Sequence, residues 1–164
     1  MTSWEAVVSA VGRALAGDRA GGRSDLLACW QRTGDADHAQ RCVLAHYLAD
    51  LEERLEDEVA WDERALDAYR RVGRKDLAAI GIADAAGLAP SLHLNLGDGY
   101  LRQGRVAPAR AQLDSALSAQ HALGDDGYAD MIRRGVEALR GKLDDLQERL
   151  PAQQVPAGPP SPRA

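Results

Sequence analysis

The chain has no phenylalanine, only 4% aromatic residues, two cysteines and two lysines, Lys75 and Lys142. So few aromatic side chains argue against a sheet-built core, where aromatic and β-branched residues are favoured. A core of Ala, Leu and Val suits helices that approach closely. A net charge of −5 gives no general attraction to nucleic acid, although it leaves room for a local basic patch. No basic segment precedes an apolar stretch at the start of the chain. The run around Val7, Val8 and Val11 is broken by Gly12-Arg13, so neither a signal peptide nor a membrane span is expected. With no export signal, Cys29 and Cys42 are expected as reduced thiols and the cytoplasm is the expected location. Gly-x-Ser-x-Gly, His-Glu-x-x-His and Cys-x-x-Cys are all missing. The glycines from Gly17 to Gly22 lack the Lys-Ser/Thr of a phosphate loop and follow a helix rather than a strand, which makes them a turn.

What is present is helical periodicity along almost the whole chain, at a length of 164 residues that suits one domain. Trp4, Val7, Val8, Val11 and Leu15 share a face of a helix over 3–16, and Leu26, Leu27 and Trp30 mark one over 20–33. Asp35 is the expected N-cap of a long third helix, 36–55, followed by a fourth over 57–72. The Ala-rich piece 75–86 reads as a shorter helix. The hairpin 92–103 and 106–122 comes next, and then a last helix over 125–149. That helix carries a stripe of Tyr128, Ile132, Gly135, Leu139, Leu143, Leu146 and Leu150, suited to capping the fold or to pairing with a second copy. The segment 151–164 holds five of the seven prolines and no hydrophobic period, and is expected to be a disordered tail to a single domain over 1–150.

The clearest unit spans 90–123. Leu96, Gly97, Tyr100, Gly104, Ala109, Leu113 and Ala116 stand at offsets that let two helices touch: Gly97 and Ala109 are small, Leu96, Tyr100 and Leu113 fill the seam, and Gly104 ends the first helix. This stretch resembles a tetratricopeptide repeat (TPR). It departs from the family where His93 replaces the frequent Trp and His121 the frequent closing Pro, and residues 4–20 and 36–72 echo it more loosely. The resemblance implies an all-α fold, a right-handed stack of antiparallel α-hairpins (a TPR-like α-solenoid) with a C-terminal capping helix. It also implies a non-enzymatic module that holds a protein or peptide partner in a concave groove.

In such a groove the first helix of the unit would present Leu94, Asn95, Asp98, Leu101 and Arg102. An Asn amide pairs with both the N–H and the C=O of an extended peptide, and an Arg grips a carboxylate. Other constellations compete with that reading. His38, Cys42 and His46 recur every four residues on one helix, and adjacent pairs of imidazole and thiolate suit zinc or copper. A small helical enzyme or metal-binding accessory protein would use that face. Each step of four drifts about 40° around the helix, so the whole row cannot hold one ion. His93 and Asp98 lie near Tyr100 as an acid–base pair that nothing in the sequence orients. The acidic run Glu52, Glu53, Glu56, Asp57, Glu58, Asp62 and Glu63 is interleaved with Arg54 and Arg64 and reads as a solvated face, with a basic partner as the competing reading. A homodimer through 128–150 is the third functional class. No cofactor is implied.

Overall fold

The computed structural model describes residues 2–149 and contains seven α-helices and three short 3-10 turns, with no strand among the described residues. The helices are α1 (Trp4–Leu15), α2 (Arg19–Gln31), α3 (His38–Ala49), α4 (Leu55–Tyr69), α5 (Ala89–Arg102), α6 (Val106–Ala119) and α7 (Gly127–Arg149). They pack as successive hairpins, α1 on α2, α3 on α4 and α5 on α6; α2 touches α3, α4 touches α5, and α7 lies on both α5 and α6. The expected tail 151–164 and Leu150 lie outside the described residues.

Local chemistry sets the ends. Ser3 and Asp18 accept from the backbone N–H of Ala6 and Gly21, each capping the helix it precedes. The α5 terminus is a Schellman motif. Gly104 sits at φ +75°, its N–H donates to the carbonyl of Leu101, and the Arg105 N–H donates to that of Tyr100 at 2.8 Å.

The structure corrects the sequence reading at two joints. The third helix stops at Ala49 instead of running to 55, and its capping position is Asp37, not Asp35. Leu51 turns inward to 9% exposure, and the chain restarts as α4 with Glu56, Asp57 and Glu58 in its first turn. Carboxylates there offset the partial positive charge of the helix N-terminus, so the acidic run starts a helix and does not continue one. The second joint is 75–86, which is not an α-helix. It forms a strap with 3-10 turns at Ala78–Ile80 and Ala85–Leu88, interrupted by Gly81 at φ +86° and anchored by the buried Leu77, Ala85 and Leu88. The Gly73 N–H donates to Asp76, and Asp84 accepts from the Ala86 N–H, so side chains take backbone donors that a helix would have used.

The core runs through all three hairpins. Val7, Leu26, Leu44, Leu48, Leu92, Leu96, Leu113, Val136, Leu139 and Leu143 are buried together with a large share of alanines. Glycine lets the hairpins close up: a Cβ on Gly97 would meet Leu139 Cδ2 at 2.8 Å and Gln112 Cβ at 3.2 Å, and one on Gly99 would meet Val59 Cγ2 at 2.7 Å. Ala109 is wholly buried opposite. The stripe on α7 is spent inside the molecule, with Ile132, Leu139 and Leu143 buried, while Tyr128 and Leu146 stay exposed. Cys29 and Cys42 are both buried free thiols. Among the described residues no helix is long and apolar enough to cross a membrane.

Candidate functional site

The five residues expected to line a groove divide into two kinds. Leu94 and Leu101 are half-buried and pack against the core, and a Cβ on Gly135 would meet Leu94 Cδ2 at 2.6 Å, so Leu94 fills the α5–α7 contact. The polar three remain at the surface. Arg102 Nη1 donates to Glu58 Oε1 of α4 at 2.6 Å and lies 3.8 Å from Asp98, and Lys142 Nζ of α7 reaches Asp98 Oδ1 at 3.1 Å. Glu58, Arg102, Asp98 and Lys142 thus make one alternating row across three helices. Asn95, half-buried, stands on α5 beside it.

Near this row lie ionisable groups whose pKa values are shifted by loss of solvent. Asp62, on α4, is 2% exposed and its Oδ1 has no hydrogen-bond partner. Burial, then the negative charges of Asp50 and Glu58, push its carboxyl up to about 8 against the weaker pull of Arg102. His46, on α3, keeps a buried Nδ1 without a partner. Burial lowers its pKa and the nearby Asp50 opposes that, so the imidazole is held neutral. Asp50 itself is raised, by burial first.

His46 opens onto a hollow of about 690 Å³ whose lining contains none of the five expected residues. Val7, Val8 and Val11 form its α1 wall, Val43, His46 and Tyr47 its α3 wall, and Ile80, Ile82 and Leu88 of the strap its side. Leu123 and Tyr128 close it from the start of α7. This is the size and apolar character of a ligand site, with His46, Tyr47, Asp126 and Tyr128 supplying its few polar side-chain groups. Sequence reading missed it because its walls come from four separated segments. The sequence offered only the adjacent Val7 and Val8, and the structure buries Val7 wholly and leaves Val8 50% exposed.

The competing constellations come apart. Cys42 is fully buried and burial pushes its thiol up to about 12, His46 faces the cavity, and His38 lines a different hollow beside Trp30 and Arg41. Among the described residues no group of three His, Cys, Asp or Glu side chains is placed to hold a metal ion. His93 Nδ1 is within 2.8 Å of Gln112 Oε1 on α6 while Asp98 pairs with Lys142, so those two do not form an acid–base pair. In the acidic run, Glu52 accepts from Arg23 and from Trp61 Nε1, and Glu63 accepts from the Tyr100 hydroxyl at 2.8 Å. No protein-family model, no curated protein and no solved structure matches this chain.

Proposed function

We propose that this protein is a non-enzymatic interaction module with a TPR-like, right-handed stack of antiparallel α-hairpins, holding an extended segment of a partner protein on the face formed by α1, α3, α5 and α7. The repeat reading draws support from the glycine-mediated contact at Gly97, the Schellman end at Gly104 and contacts between the first helices of hairpins, α1 with α3, and between α5 and α7. The observation that carries the binding reading is the apolar cavity with the unpartnered His46 Nδ1 in its wall. An apolar side chain of the partner fills the cavity, a backbone or hydroxyl group pairs with His46, and the segment continues along the Asp98–Arg102 row. There Asn95 is available to backbone groups and Arg102 to a carboxylate.

Selection from a random peptide display library on the purified protein tests this directly. The selected peptides should share a bulky apolar residue, and Val11→Arg, which puts a charge into the cavity, should abolish their binding while the helical signal is retained. Peptides that bind the Val11→Arg protein with unchanged affinity would move the site off this face.

A further inference from the structure

A second hollow, of about 520 Å³, lies where the end of α2, the first turn of α3 and the middle of α4 meet, and it shares no residue with the cavity above. It is walled by arginines. Arg41, Arg64 and Arg71 all line it, together with His38, and none of the three arginines makes an ion pair among the described residues. That is unusual in a chain whose 25 acidic residues outnumber its 20 basic ones. Two of the guanidiniums are parked on aromatic faces instead: Arg41 lies 4.2 Å from the Trp30 ring centre and Arg64 4.5 Å from that of Trp61. The indoles are braced against each other edge to face at 5.0 Å. A guanidinium over an indole is held in place by the ring's electrostatic face while most of its five N–H donors remain free.

Three carboxylates share the lining with the three arginines, and two of them lie against arginines outside it. Glu63 is taken by the Tyr100 hydroxyl and lies 3.7 Å from Arg105, and Asp67 lies 3.6 Å from Arg70. Asp35 is the remaining carboxylate in the lining. Arg41 spends one donor on Thr33 Oγ1, at 3.3 Å.

We propose that this Arg–Trp hollow binds a dianionic phosphate group, independently of the concave face. Several planar donor forks in one hollow suit three acceptor oxygens better than the two of a single carboxylate, which one arginine already satisfies. Free phosphate and a phosphorylated side chain of a partner present the same chemistry here.

Titration of the Trp4→Phe protein at fixed ionic strength tests it, because the reporters that remain, Trp30 and Trp61, both touch the arginines. Inorganic phosphate should give a saturable change in indole emission that chloride does not, with the same dissociation constant by calorimetry. Arg64→Gln combined with Arg71→Gln should weaken it at least about tenfold, for the loss of two charge-assisted donors. A phosphoserine peptide that binds more tightly than inorganic phosphate, with its unphosphorylated form inert, would identify a modified partner as the source; equal binding would identify the free ion. The proposal is overturned if phosphate gives neither an emission change nor heat, or if its binding survives the double change in protein with an unaltered circular dichroism spectrum.

Discussion

The α5–α6 hairpin and the α3–α4 hairpin are built from the same kinds of residue and solve opposite problems. In α5–α6 every buried feature serves contact: Gly97 and Ala109 bring the axes together, Leu96 and Leu113 fill the seam, and Gly104 closes the end with paired backbone groups. In α3–α4 the seam is as well filled, by Leu44, Ala45, Leu48 and Ala65, yet both buried polar atoms without partners among the described residues, His46 Nδ1 and Asp62 Oδ1, belong to this hairpin. A buried polar group without a protein partner lowers stability relative to a paired one, so the two hairpins differ in how fully their polar groups are satisfied. One hairpin is fully satisfied among the described residues. The other holds polar atoms without protein partners.

Four changes would break or sharpen that contrast. The largest effect is expected at Gly97. A Cβ there would already collide with Leu139 and Gln112, so Gly97→Leu should cost about 3 kcal/mol or more by overpacking, read as a shifted urea midpoint. A variant that melts within about a degree of the parent would remove Gly97 from the helix crossing. Next is Asp62. Its carboxyl is raised to about 8 in the folded state, against about 3.9 in an unfolded chain, so the folded protein keeps a proton that the unfolded chain releases. The contribution of Asp62 to stability is therefore full below about pH 4 and is lost as pH rises toward about 8, by roughly 2 kcal/mol or more. Asp62→Asn should flatten that slope and be the more stable protein at about pH 8. If urea unfolding at about pH 5 and about pH 8 gives the same slope for both proteins, the carboxyl is solvated and α3–α4 is no different from its neighbour.

A smaller loss is expected at the other end of α5. Gly104→Ala forces a Cβ into the left-handed region and should cost about 1 kcal/mol, measured by thermal melting. An unchanged midpoint would mean that the turn has another conformation. The smallest effect on stability should come from Asn95→Ala with Arg102→Ala. The pair to Glu58 is part-exposed, so its loss should cost under about 1 kcal/mol. The same double change should weaken capture of a display-selected peptide about tenfold or more. Full-strength capture would confine recognition to the cavity at His46.

The residues of 90–123 made the hairpin legible because a tight helix crossing leaves a local mark: a small residue, its bulky neighbours and a terminating glycine stand at fixed offsets. The joint at 50–54 and the strap at 75–86 were not legible. Helix periodicity runs through both, and only the inward turn of Leu51, the anchoring of Leu77 and the left-handed φ of Gly81 end it. The groove residues were placed by the same periodicity, which separates a buried stripe from its neighbours but does not say what lies across from them. That is why Leu94 and Leu101 proved to be packing residues, while Asp98 and Arg102 were already partnered by Lys142 and Glu58.

By itself the sequence determined the all-α class, the positions of the helices other than α3 and the strap to within a few residues, and the close contact at Gly97, since each depends on neighbours within a turn or two. Tertiary structure alone decided where the empty space and the misfit charges lie. The cavity draws its walls from residues 7 to 128, the Arg–Trp hollow from three helices, and the proton on Asp62 from solvent excluded by the whole fold. Local periodicity marks which face of a helix is buried, but a cavity or a desolvated carboxylate depends on distant chain segments meeting.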